Sequence, residues 1–382
     1  MRKVFFPQLD SLRFFAFFAV FVSHLFFTED PALVNHPVIR FLDRASSIGA
    51  LGVNFFFVLS GFLITYLLLE ELKSEGRIHI GAFYMRRVLR IWPLYYLILL
   101  IGFVLFPLLK GRLGLQPVES ANVWRYLLFL GNFDIIANGV TPDASMLGVL
   151  WSLAVEEQFY LFWPLLLAAL PVAHYPKLFA AIIALSVGAR FFNHDRSLWM
   201  AHSTFSVGSD LVVGAGLAYY SHRGALALTW LKRLRAGHII AIYVVGITSV
   251  ALLFDVPHPL SSVSRLLTSL FFAFVIWEQN ESPHSPFKLG RLRVCAALGK
   301  ITYGLYCLHF VGILAAIHLN RLVLHLNKTW WQVVCVESGM AFAFSVAFSV
   351  VCYRYLEQPF LRLKNQFSPG VPAVAVRGLA KG

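Results

Sequence analysis

The chain has 382 residues, 58% hydrophobic and 13% charged, with a mean hydropathy of +0.71, a composition too oily for a water-soluble domain of this length. Its formal charge of +13 does not mark a nucleic-acid partner, because the basic residues punctuate apolar runs instead of forming one patch. What is left is an all-α, polytopic membrane protein whose immediate partner is the lipid bilayer.

Apolar runs long enough to cross a hydrocarbon core of about 30 Å recur from one end to the other. They predict roughly ten spans, centred near residues 20, 58, 100, 158, 184, 213, 247, 270, 310 and 344. An even count puts both termini on one side. With that side cytoplasmic, about 21 Lys and Arg fall inside and about 10 outside, which sets the orientation in the membrane. The chain divides into a single membrane domain, residues 1–362, and a tail, 363–382, expected to be disordered. Cys295, Cys307, Cys335 and Cys352 match no metal or redox spacing and are expected to be reduced, buried thiols. No internal repeat is visible.

The first run, SLRFFAFFAVFVSHLFF, carries Arg13 near its start and His24 near its end. No small-residue cleavage site follows, so it reads as a retained helix. Eleven residues make about three helical turns, so the two side chains share nearly one face, roughly 16 Å apart along the axis. Asp10 lies on the same stripe. A guanidinium cannot lose its charge, and ionisable groups in spans usually face a bundle interior or a wet cavity. The plainer reading has Arg13 snorkelling to the cytoplasmic surface beside Asp10, with His24 bonded to a carbonyl at the interface. Histidine can take and return a proton near neutral pH, which gives it chemical interest.

Further polar islands follow. GVNFFFVLSGFLITYLLLEE offers Gly52, Ser60 and Gly61 for close helix approach and Asn54 as a hydrogen-bonding side chain. FYMRRVLRIWPLYYL puts Arg86, Arg87 and Arg90 at the cytoplasmic mouth of the third span; Arg87 and Arg90, three residues apart, can fork around a phosphate or simply anchor the helix. The stretch 110–145 is the longest external loop and suits an interfacial layer or a cap over an external cavity. WSLAVEEQFYLFWP sets Glu156 and Glu157 side by side, so that one can enter a polar pocket while the other meets water or a cation; Glu156 shares a face with Tyr160. His309, in YGLYCLHF, is read as packed or interfacial in preference to catalytic.

In sequence order, LDSLRFFAFFAVFVSH, GVNFFFVLSGFLIT, FYMRRVLRIWP, LWSLAVEEQFYLFWP and, more weakly, YGLYCLHF and RYLEQPF resemble the acyltransferase-3 family of membrane O-acyltransferases. The resemblance runs nearly end to end. It implies about ten core helices, a cytoplasmic acyl-CoA donor, acetyl-CoA by default, and no permanently bound cofactor or metal. By the same resemblance His24 is the catalytic histidine, as base or acyl carrier, Arg13 its partner in the first span, Glu156 the family's glutamate, and Arg87 with Arg90 the cytoplasmic arginine pair. Asn54 stands where many relatives have aspartate. The acceptor is expected to be a hydroxyl of a surface polysaccharide or glycolipid precursor. Many relatives carry a fused extracytoplasmic domain for which this chain has no room, so the membrane part acylates the acceptor itself or passes the group to a separate extracytoplasmic transferase.

These expectations join into one scheme. Arg86, Arg87 and Arg90 hold the nucleotide phosphates in the cytoplasm, the pantetheine arm follows a seam beside the first helix, and Glu156 orients or charge-balances His24. The rival from another class is a transporter or flippase moving a polar lipid or small metabolite along the same stripe.

Overall fold

The computed structural model describes residues 8–26, 30–112, 114–116, 118–224, 226–254, 256–326 and 328–367, and all regular structure among them is helical. Ten long helices carry the architecture: α1 Leu9–Ser23, α2 Leu51–Glu75, α3 Ile80–Leu100, α4 Leu150–Ala169, α5 Tyr175–Phe192, α6 Thr204–His222, α7 Ala236–Leu252, α8 Ser261–Glu281, α9 Thr302–Leu319 and α10 Ser338–Cys352. Each of the ten expected centres falls within one of them. Among the described residues six helical stretches are long and apolar enough to cross a membrane: Pro37–Glu75, Ile80–Arg112, Val172–Phe192, Ser261–Glu281, Thr302–Leu324 and Gln332–Lys364. Of the other four, α1 and α7 are short, with 15 and 17 residues, and α4 and α6 carry the carboxylates Glu156 and Asp210.

The interior is built by close approach of backbones. A side chain on Gly61 would collide with the Leu211 carbonyl, and one on Gly214 with the Val58 carbonyl, so α2 and α6 pack as near as two helices can. Gly52 is pressed in the same way against Ala16 of α1. Ser60 does not serve this contact; it bonds to α4. Wider π-helical turns interrupt the ladder at Ile101–Leu105, Gln332–Glu337 and Tyr353–Glu357.

The connection before α4 folds onto it as short helices, Val123–Leu127 and Gly131–Asn138. Gln158 Nε2 donates to Phe129 O at 2.8 Å and to Asn132 Oδ1 at 2.9 Å, which fastens that layer to the bundle.

Beyond α10 the chain continues as helix through Gln358–Lys364 and a tight turn, Asn365–Phe367, packed back on α3. Helical structure thus runs to Phe367; the rest of the expected tail, residues 368–382, lies outside the described residues, as do Arg2 and Lys3. All four cysteines are free, and Cys335 is exposed where a buried thiol was expected.

Candidate functional site

Arg13 sits one turn into α1, where Asp10 Oδ1 accepts from its Nη1 at 3.0 Å. The rest of the guanidinium faces a cavity of about 140 Å³. Arg87 and Arg90 of α3, Glu156 and Tyr160 of α4 and Ser60 of α2 line the same space. Residues from four helices, 147 positions apart at the extreme (Arg13 to Tyr160), thus converge on it, and α9 closes a wall with Tyr303 and Tyr306.

The charges in this cavity are unequally partnered. Arg13 has Asp10. Glu156 accepts from Ser60 Oγ at 2.9 Å and from Tyr160 Oη at 2.7 Å. Neither Arg87 nor Arg90 forms an ion pair among the described residues, and Arg87 Nε is buried with no hydrogen-bond partner. Its guanidinium instead lies over the rings of Phe83 and Tyr160, each 5.7 Å away. Two guanidiniums held without carboxylates at the rim of a low-dielectric pocket attract an anion.

Arg86 is used differently. Its Nη2 donates to the buried Glu71 Oε2 at 2.8 Å and its Nη1 to Phe367 O at 2.7 Å, and Glu71 Oε1 accepts from the His79 backbone at 2.9 Å. Arg86, expected in the phosphate fork, is placed instead where it clamps the α2–α3 turn to the C-terminal segment, and it does not line the cavity.

His24 caps the C-terminal end of α1. It faces another cavity, of about 380 Å³, lined also by Ser23, Arg40 and Asp43. The two cavities share no lining residue. Between Arg13 and His24 along α1 stand the buried rings of Phe17 and Phe21, so the single wet seam expected from the spacing is divided by aromatic side chains.

The partner of the His24 ring is not Glu156, which is committed to Ser60 and Tyr160, but His309 of α9. His24 Nδ1 lies 3.1 Å from His309 Nε2, with ring centroids 5.1 Å apart and planes inclined by 21°. His309 is fully buried, its Nδ1 is 2.7 Å from the Tyr306 carbonyl oxygen, and Phe17 and Phe21 pack edge-on to its ring. Tyr306 in turn bonds through its hydroxyl to Ser152 Oγ at 2.7 Å, and both line the Arg13 cavity. One residue, Tyr306, therefore belongs to the wall of one cavity and to the hydrogen-bond chain that ends at the other. His309, read from the sequence as packed or interfacial before catalytic, gave as its only signal a polar side chain in the middle of a strongly apolar run.

A further open cavity of about 610 Å³ lies beyond the first turn of α2. Asn54, Trp151, Arg190, Arg265, His194 and His258 face it, and Val53 is common to it and the Arg13 cavity.

The model of the acyltransferase-3 family, described as an acyltransferase domain, matches residues 6–354. A Staphylococcus aureus (strain COL) protein provisionally named as an O-acetyltransferase is 24% identical over 394 residues, covering 93% of this chain and 57% of its own length. The peptidoglycan O-acetyltransferase OatA of Listeria monocytogenes is 33% identical over 183 residues, 46% of this chain and 26% of the relative. The chain thus spans little more than half the length of the Staphylococcus aureus relative. No solved structure matches it. With the family model running across nearly all of the described helices, the chain belongs to the acyltransferase-3 family.

Proposed function

We propose that this chain is a membrane O-acyltransferase that moves an acyl group, acetyl by default, from cytoplasmic acyl-CoA to a hydroxyl of a surface polysaccharide or glycolipid. Ten crossings with both termini cytoplasmic, in the cytoplasmic membrane, are the matching topology. The observation that carries the reading is the cavity into which Arg13, Arg87, Arg90 and Glu156 converge with two guanidiniums lacking carboxylate partners.

Phosphates cannot enter hydrocarbon, whereas an uncharged pantetheine arm can. Arg87 and Arg90 hold the anionic nucleotide end at the cytoplasmic mouth. Arg13, already balanced by Asp10, lines the path of the arm, and Glu156 serves as the local counter-charge to the arginines. The thioester comes to rest toward Ser152 and Tyr306. Transfer to the His24 side requires the partition of Phe17, Phe21 and Tyr306 to part.

The chemistry uses His24 as base. Its imidazole takes the proton of the acceptor hydroxyl as that oxygen bonds to the thioester carbonyl carbon. The carbon–sulfur bond then breaks, and the imidazolium returns the proton to the departing thiolate, so that ester and free CoA are the products. The separate extracytoplasmic transferase is a partner of this scheme only if the acceptor cannot reach His24 directly.

The test is thermal unfolding of the purified protein with acetyl-CoA and with acetyl-pantetheine, which lacks the nucleotide phosphates. Protection by acetyl-CoA alone supports a donor held by its phosphates. Indifference to both favours a transporter.

A further inference from the structure

His309 has a carbonyl oxygen on one side and His24 on the other, and that arrangement fixes protons. A carbonyl only accepts, so His309 Nδ1, 2.7 Å from Tyr306 O, carries hydrogen. No carboxylate bonds either ring among the described residues, so nothing partners a positive charge on this pair, and His309 is neutral. A neutral imidazole with hydrogen on Nδ1 has a bare lone pair on Nε2. That lone pair faces His24 Nδ1 at 3.1 Å. His24 must then donate from Nδ1, which leaves its own Nε2 without a proton.

We propose that His309 is a positioning residue: through the chain Tyr306 C=O, His309, His24 it locks His24 in the tautomer whose Nε2 is free to act as base. This rests on the acyl-transfer reading and deepens it by naming the reacting nitrogen. In the wrong tautomer Nε2 would carry a hydrogen and could take no proton from an acceptor hydroxyl. Once His24 has taken that proton, both of its nitrogens carry hydrogen, and His309 Nε2 keeps accepting from Nδ1. The imidazolium is therefore stabilised by the same bond that set the ground state, and the proton on Nε2 is the one delivered to the thiolate. Packing of Phe17 and Phe21 on the His309 ring keeps it from rotating out of this alignment.

The position has one conservative replacement. A glutamine side-chain amide reaches where a histidine Nε2 lies, so His309→Gln can present its carbonyl oxygen to His24 Nδ1; asparagine is too short, and leucine offers nothing. In cells lacking the gene and complemented at matched protein level, surface-glycan O-acetyl content should stay within about tenfold of wild type for His309→Gln and drop about a hundredfold for His309→Asn and His309→Leu. Purified variants should bind acetyl-CoA as the wild type does, since His309 does not line the Arg87 cavity. Nitrogen-15 NMR of the histidine-labelled wild-type protein supplies a readout independent of variant folding: His24 should show a protonated Nδ1 and an unprotonated Nε2. Near-normal O-acetyl content in His309→Leu, or hydrogen on His24 Nε2 in the wild type, would overturn the assignment. If instead cells with and without the gene carry equal O-acetyl content, the acyl-transfer reading fails, and the NMR still reports the tautomer.

Discussion

Arg86 and Arg87 are consecutive on one helix, yet Arg86 is ion-paired to the buried Glu71 at 2.8 Å while Arg87 meets no carboxylate and projects into the Arg13 cavity. A rotation of about 100° between neighbouring helical positions suffices to separate an ion-paired arginine from one that lines the cavity. Their replacements should therefore fail differently. Arg87→Ala with Arg90→Ala should weaken acetyl-CoA binding about a hundredfold, or ~2.7 kcal/mol, with thermal stability little changed. Arg86→Ala takes the guanidinium from the buried Glu71, which keeps only its contacts to His79, and should destabilise by about 3 kcal/mol. Isothermal titration with acetyl-CoA and unfolding curves on the same preparations separate the two outcomes.

Glu156 lines the cavity proposed to take the donor's phosphates, accepts from Ser60 and Tyr160, and does not touch His24. Glu156→Gln keeps the volume and removes the negative charge, so acetyl-CoA should bind a few-fold tighter. Weaker binding in that variant would show the carboxylate to be part of the donor's own contacts.

The aromatic partition invites a steric test. Phe21 is buried between the two cavities and packs on His309 and Phe342. Phe21→Trp adds volume where the partition must open and should lower O-acetyl transfer at least about tenfold while leaving acetyl-CoA affinity intact, at a stability cost of about 2 kcal/mol. Full transfer in this variant would place the route of the acyl group elsewhere.

Away from the proposed chemistry, Arg190 is 1% exposed, donates from Nε to Ser262 O at 2.8 Å and from Nη1 to Ser209 Oγ at 3.0 Å, and neighbours the Asp210–Arg265 pair. Arg190→Met should destabilise the joint of α5, α6 and α8 by about 3 kcal/mol, read as a lower unfolding temperature with unchanged acetyl-CoA affinity.

Much of this was legible in the chain itself, and the reasons are physical. Long apolar runs betray membrane helices because hydrocarbon tolerates little else, and each expected centre falls within a helix, six helical stretches among the described residues being long and apolar enough to cross a membrane. The spacing of Arg13 and His24 follows from helical pitch, and both do face cavities. What could not be read was tertiary. Phe17 and Phe21 look like any lipid-facing phenylalanine until α9 is laid against them. His309 stands 285 positions from His24, so no local pattern links them. Glu71, at the end of α2, is buried beside Arg86, which donates both to it and to Phe367 O, 281 positions on.

The most direct measurement is mass spectrometry of surface glycans and lipids from cells carrying the wild-type gene, no gene, or His24→Ala at equal protein level. Acyl transfer through His24 predicts an acyl mass increment with the wild type that is missing from the other two, while purified His24→Ala still binds acetyl-CoA. An increment that persists in the His24→Ala cells would contradict it.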